Sequence, residues 1–190
     1  MRVLRILLFA LFFLVLAPIA TPWVKSVFVR DPVPPEWVLD FDGFGPLRVG
    51  MTRLETLAAV DYPFDEISPG NSDDCSQLLP KRPGDKHGVE SPVFMMTDGR
   101  LRRFEIYRKP WQTVHGLRVG DDAVVLSSGR FGKPKVAPNH YDENLLEYVF
   151  HSVGRDLERY SMLYGVDRSG RITYIRSGRA TEVSLIEGCL

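Results

Sequence analysis

The sequence predicts an α+β protein built from two tandem repeats, each a short capped helix packed on a small antiparallel sheet. Three observations carry this prediction. Gly45-Pro46-Leu47-Arg48-Val49-Gly50-Met51-Thr52 returns as Gly116-Leu117-Arg118-Val119-Gly120-Asp121-Asp122, at an offset of about 70 residues. Asp98-Gly99-Arg100-Leu101 is echoed by Ser169-Gly170-Arg171-Ile172 at nearly the same spacing. Each glycine corner is followed by a helix-start signal and then by apolar segments broken at turn residues.

In chain order, residues 1–24 read as a signal peptide or membrane anchor. Arg2 and Arg5 precede an apolar run from Ile6 to Ala17, the arrangement of an export signal. The run continues through Ile19 and Ala20 to Trp23 and Val24 without charge. That length approaches the ~20 residues needed to span a bilayer. Cleavage and retention both remain open, and both place the folded part outside the cytoplasm. Membrane contact is expected only through residues 6–24, and only if they are kept. No cysteine lies near this segment, so a cysteine-linked lipid anchor there is excluded.

Residues 25–42 form a Pro-rich linker, because Asp31-Pro32-Val33-Pro34-Pro35 is held extended by its prolines. Trp37, Val38, Leu39 and Phe41 read as an edge strand or strap. Residues 43–112 are the first repeat. Leu47–Val49 is a short strand stopped by Gly50, and Thr52-Arg53-Leu54-Glu55 is a capping box opening a helix to about Val60. Leu54, Leu57 and Ala58 are its expected inward positions. Pro63 to Gly88 is polar and Pro/Gly-rich, and is expected to be a long loop pinned at Cys75. Asp98-Gly99 between apolar segments predicts a hairpin joining strands at 92–97 and 101–108.

Residues 113–190 are the second repeat. Asp121 or Asp122 is expected to cap a short helix with Val124, Val125 and Ser128 inward, ending near Gly129. Strands are expected at Leu145–His151, Arg159–Val166, Arg171–Ser177 and, less clearly marked, Val183–Ile186, with turns at Ser152-Val153-Gly154 and Arg168-Ser169-Gly170.

Composition bounds the function. With 44% hydrophobic and 25% charged residues the chain is ordinary globular protein. Lys plus Arg equals Asp plus Glu at 24 each, so no electrostatic case exists for nucleic acid. The two cysteines, Cys75 and Cys189, are expected to pair in an oxidising compartment, closing a loop of roughly 115 residues worth up to ~4–5 kcal/mol in the chain-entropy treatment. Two free buried thiols are the alternative.

The glycine–leucine–arginine–valine–glycine corner, the Asp98-Gly99-Arg100 hairpin, the repetition and the closing Glu187-Gly188-Cys189 resemble bacterial exported proteins of the beta-lactamase-inhibitor-protein-like superfamily. That superfamily also holds the small lipoprotein of the outer-membrane barrel assembly machine. The resemblance spans roughly residues 43–189. It implies tandem α/β repeats whose sheets align into one concave face that binds protein, and it carries no catalytic residues. The chain departs from the lipoproteins in lacking a lipidated cysteine.

Candidate chemistry is sparse. His140-Tyr141-Asp142-Glu143 is the densest polar cluster, but a metal site wants three or four ligands, and His87, His115 and His151 stand apart in sequence. A turn before the Leu145 strand is the simpler account. Ser127-Ser128-Gly129 and Ser177-Gly178 lack the G-x-S-x-G context of a nucleophile elbow. Asp121-Asp122 suits a helix cap, and Asp73-Asp74 a solvated loop. No cofactor, metal or enzyme activity is expected.

Arginines and aromatics instead cluster on the strands: Arg100, Arg102, Arg103, Arg108, Lys109 and Trp111 in one half, and Arg155, Arg159, Tyr160, Tyr164, Arg171, Tyr174, Arg176 and Arg179 in the other. Arg, Tyr and Trp dominate interface hot spots. Arg103, Trp111, Tyr160, Tyr164, Tyr174 and Arg176 are therefore the expected partner-binding residues. Strand alternation puts Tyr174 and Arg176 on one face, Thr173 and Ile175 on the other. The expected function is an exported, non-enzymatic protein-binding module of the bacterial envelope, an inhibitor, immunity protein or assembly factor. It would lie in the periplasm or outside the cell. A hydrolase or carbohydrate-binding protein using the same Arg- and aromatic-lined concavity is the alternative, and a structural spacer is a third.

Overall fold

The computed structural model describes residues 31–68, 74–81, 92–153, 159–186 and 188–189. The expected export segment 1–24, the beginning of the linker, Asp73, His87, Gly154, Arg155 and Glu187 lie outside the described residues. Among the described residues, no helix is long and apolar enough to cross a membrane.

A large sheet organises the chain. It has eight antiparallel strands in the order β4-β5-β6-β7-β12-β11-β10-β9. They are β4 (Phe64–Ile67), β5 (Cys75–Pro80), β6 (Val93–Thr97), β7 (Arg100–Ile106), β9 (Lys135–Pro138), β10 (Leu146–Val153), β11 (Arg159–Val166) and β12 (Ile172–Arg179). A second sheet of four very short strands lies across it: β1 (Val38–Leu39), β2 (Gly43–Phe44), β3 (Leu47–Arg48) and β8 (Gln112–Thr113), in the order β3-β2-β1-β8. The helices are α1 (Arg53–Ala58), a 3-10 helix (Val124–Ser127) and α2 (Ala180–Val183).

Alternation along the strands creates two chemically different faces. Ile106 stands opposite Ile175 and Phe104 opposite Ser177, and these side chains form the inner face. Leu39, Phe44, Leu47 and Trp111 from the short-sheet layer bury against it, meeting Phe94, Phe104, Met162 and Ile175 in one core. Phe44 meets Phe104 and Trp111 edge-on, at 6.2 and 6.0 Å between centroids, the geometry that ring quadrupoles favour, and Phe94 at a tilt at 6.3 Å. The Ser177 hydroxyl donates to the Asp40 carbonyl, fastening the two sheets.

The outer face carries Arg103 and Glu105 on β7 opposite Gly178 and Arg176 on β12. The chain after β12 folds back over this face as α2 and a C-terminal strap. Its end is tied to β5 by the Cys75–Cys189 disulfide, across 114 positions. The bridge is consistent with an oxidising, extracytoplasmic environment.

The strongest local signals form the expected structures. Thr52 closes a capping box with Glu55. Asp98 and Gly99 both take positive φ, at 52° and 67°, joining Thr97 to Arg100 as a tight hairpin. The β11 span matches the expectation, and β7, β10 and β12 lie within one or two residues of theirs. The two glycine corners dock alike: Gly50 N–H donates to Leu101 O, and Gly120 N–H donates to Ile172 O.

The expected pair of helix-plus-sheet repeats is overturned. The first corner leads into a six-residue α-helix and the second only into a four-residue 3-10 helix. The layer on the large sheet is mainly another sheet, not two helices, and its strands come from 38–48 and 112–113. Neither half closes a sheet of its own, because β7 and β12 pair edge to edge.

Inward positions also differ from expectation. On α1, Thr56 is buried while Leu54 is 77% exposed. At the 3-10 helix, Leu126 is buried and Val124 points outward. In turns this short the docking of the flanking glycine corner, not a 3.6-residue stripe, selects the inward side. The long loop at 63–88 contains β4 and β5, whose polar residues hid them. The strand expected at Val183–Ile186 is absent, since Ala180–Val183 is helical.

Candidate functional site

The outer face holds a buried polar network. The Glu105 carboxylate, 2% exposed, accepts from Arg103 Nη2 at 2.5 Å, from Arg176 Nε at 3.1 Å and from the Tyr107 hydroxyl. Burial pushes its carboxyl up, but Arg103 and Arg176 outweigh this and hold it below the ordinary carboxylate range. Burial, reinforced by Glu105, pushes the Tyr107 phenol up to about 12.

Arg103 has a second task. Its Nη1 donates to the carbonyls of Glu182 and Leu185, at 2.6 and 2.8 Å. These oxygens belong to the end of α2 and the turn that follows, and the Glu182 carbonyl also accepts from the Leu185 N–H. One guanidinium thus satisfies a buried carboxylate and the strap above it.

From Arg176 the network runs sideways. The guanidinium lies 5.1 Å from the centre of the Tyr174 ring. The Tyr174 hydroxyl donates to Glu147 Oε1 at 2.5 Å, and Asn139 Nδ2 donates to the same oxygen at 2.8 Å. Burial first, then Glu147, pushes the Tyr174 phenol up. Asn139 Oδ1 accepts the backbone N–H groups of Tyr141 and Asp142, shaping the turn before β10. The His140–Glu143 cluster is therefore a turn organised by Asn139, and Asp142 serves it by accepting from Asn144 N–H.

Beside this network lies an open cleft of about 560 Å³, within the range of small-ligand sites. The floor comes from β9, β10 and β11, including Ala137, Val149 and Leu163. Ala180, Val183, Ser184 and Ile186 of α2 and the strap form the opposite wall. Lys135, His140, Glu147, His151 and Ser161 supply the polar groups. His151 Nδ1 is 2.9 Å from Ser161 Oγ. Burial, then Arg159 and Lys135, hold the His151 imidazole below its ordinary value. Among the described residues, no three His, Cys, Asp or Glu side chains converge to hold a metal ion.

The six residues expected to bind a partner are not on the surface. Arg103, Trp111 and Tyr164 are at most 1% exposed, and Tyr160 and Tyr174 are 8% exposed. Arg176 is largely covered, its side chain 12% exposed. Tyr174 and Arg176 do share the outer face, as alternation requires, but the strap and the neighbouring side chains cover them. Trp111 and Tyr164 belong to the inner core. Trp111 Nε1 donates to Pro34 O. The Tyr164 hydroxyl donates to Thr113 Oγ1 and lies 2.9 Å from His115 Nδ1. These side chains are structural anchors. Their type signals burial and interface cores equally, and only packing separates the two.

Lys135 and Asn139 carry no strand signal, because β9 is short and its Lys and Pro residues mask it. Glu147 and Ser161 lie on expected strands, where a single polar residue does not distinguish a cleft from a solvated face. Arg103, Glu105 and Tyr107 did leave a signal. They are polar at every second position across 103–107, alternating with Phe104 and Ile106, the pattern of a polar network buried under one face.

Comparison of the chain with family models, with curated proteins and with solved structures finds no match among them.

Proposed function

We propose that the chain is an exported, non-enzymatic protein-binding module of the bacterial cell envelope, of the inhibitor, immunity or assembly-factor type, working in the periplasm or outside the cell. It engages its partner at the strap-walled cleft. The observation that carries this reading is a concavity with an apolar floor, held open by a disulfide-tied strap and a buried ion network. The resemblance to exported protein-binding modules supports the same class.

The sheet edges are less suited to the task. β9 is four residues long, carries Lys135, and is bounded by Pro134 and Pro138. β4 follows Pro63, and its Asp65 and Glu66 pair with Lys81 and Arg53. Such prolines and charges protect edges against strand addition. A partner is therefore read by side chains in the cleft.

A hydrolase reading would rest on the His151–Ser161 contact. Ser161 is 1% exposed at the cleft floor, so its oxygen presents almost no surface to a substrate. Cross-linking tests the binding reading. A photoreactive side chain at Ile186 in the cleft wall should give a discrete adduct with one envelope protein, and one at exposed Val124 should not. Equal or absent adducts at the two positions refute it.

A further inference from the structure

The charges along the cleft are segregated: Lys135 and Glu147 line it in equal number, with Glu147 towards one end of the strands and His151 towards the other. Lys135 and His151 face it from adjacent strands, and Arg159 lies on the same face of β11, one alternation from Ser161. Among the described residues, neither Lys135 nor Arg159 forms an ion pair. The carboxylate in the cleft, Glu147, is already occupied by Tyr174 and Asn139. The end of the cleft away from Glu147 therefore presents positive charge, and Ala137, Val149, Leu163 and Val183 give the cleft its apolar surface. Burial first, then Arg159 and Lys135, disfavour protonation of His151.

We propose, resting on the protein-binding reading, that the cleft receives an extended acidic–apolar segment of the partner, its carboxylate set against Lys135, His151 and Arg159 and an adjacent apolar side chain against Val149, Leu163 and Val183. The volume of about 560 Å³ admits a few residues at most. The anion compensates the cationic end, and the apolar side chain covers a floor otherwise left to water. Strand addition is not required, which agrees with the protected β9 edge. The polar and titratable groups around the cleft are Lys135 from β9, Glu147 and His151 from β10, Arg159 and Ser161 from β11, and His140 from the turn. On α2, Glu182 is buried, and its carboxylate accepts from Thr181.

The test uses the full-length exported protein with whatever N-terminus the cell leaves. Two end-blocked hexapeptides are titrated, identical except that one carries glutamate and the other glutamine beside a leucine. Dodecanoate serves as a third probe. The glutamate peptide should bind about tenfold tighter than the glutamine peptide, and Lys135→Glu should erase most of that margin. Ring resonances of His151 should move on binding, and its protonation should shift to higher pH. Should Lys135→Glu fail to fold, Arg159→Gln makes the same measurement. Equal binding of the two peptides, binding of neither, or binding of dodecanoate alone overturns the proposal. A discrete adduct at Ile186 together with equal peptide affinities overturns the acidic segment and spares the protein-binding reading. Without any adduct, both fall.

Discussion

Arg103 Nη1 lies 2.6 Å from the carbonyl oxygen of Glu182, a residue 79 positions away. This bond joins the centre of the large sheet to the strap that walls the cleft. The same guanidinium neutralises Glu105, so strap docking and charge burial are one event. The outer face is closed by polar chemistry, unlike the aromatic inner face.

Removing Arg103 should therefore be costly. Arg103→Met leaves the Glu105 carboxylate buried with less compensation and removes the hydrogen bonds to the Glu182 and Leu185 carbonyls. A loss of about 3–5 kcal/mol is expected from breaking one side of a buried ion pair, measured by urea unfolding. The double variant Arg103→Met/Glu105→Leu should recover part of that loss. A double variant less stable than the single one would contradict this account.

Stability should fall in two steps on acidification. The His115 imidazole is held below its ordinary value by burial, with Asp40 opposing. Its contribution is present above about pH 6.5 and is lost as pH falls through the lower folded value. His151 is shifted the same way and adds to this step. Glu105, held low by Arg103 and Arg176, contributes fully above about pH 4.3, and this is lost as pH drops through its depressed folded value. Chemical denaturation between pH 3 and 8 should show His115→Gln shrinking the upper step and Glu105→Gln the lower one.

Breaking the Cys75–Cys189 bridge should act on the cleft as well as on global stability. The loop it closes spans 114 positions, for which the chain-entropy treatment gives about 4–5 kcal/mol. In Cys75→Ser, or after reduction, amide exchange in 180–186 should accelerate more than in β11. Uniform acceleration across both segments would show that the strap does not open by itself.

Gly178 sits on the β7–β12 seam with φ of 141°, and a Cβ there would lie 2.1 Å from Arg102 O. Gly178→Ala forces the seam apart as well as straining the backbone. A cost of about 2–4 kcal/mol is expected, read from thermal or urea unfolding. Gly129→Ala, where a Cβ meets nothing within 4 Å but φ is also positive, should cost only about 1 kcal/mol.

The sequence by itself determined the pieces whose causes are local. Asp98-Gly99 makes a turn because both positions need positive φ, and Thr52 with Glu55 makes a cap because three residues separate donor from acceptor. The pairing of Cys75 with Cys189 followed from their being the only two cysteines. The echo of Gly50 in Gly120 was real as a docking device, since both corners bind a hairpin strand through the same glycine N–H. It did not extend to whole repeats, because short helices take their orientation from what they dock on.

Tertiary structure alone decided which side chains face water. Trp111, Tyr164 and Arg103 have the composition of a binding surface, yet Trp111 is buried between the two sheets, the short-sheet layer covers Tyr164 and the strap covers Arg103. Strand alternation says that Tyr174 and Arg176 share a face. It cannot say that residues 180–189 will return to lie over part of that face, because this depends on a disulfide and an arginine acting across about 80–110 residues of chain. The cleft exists for the same reason: its floor is written in the strand pattern, but its wall arrives from the far end of the sequence.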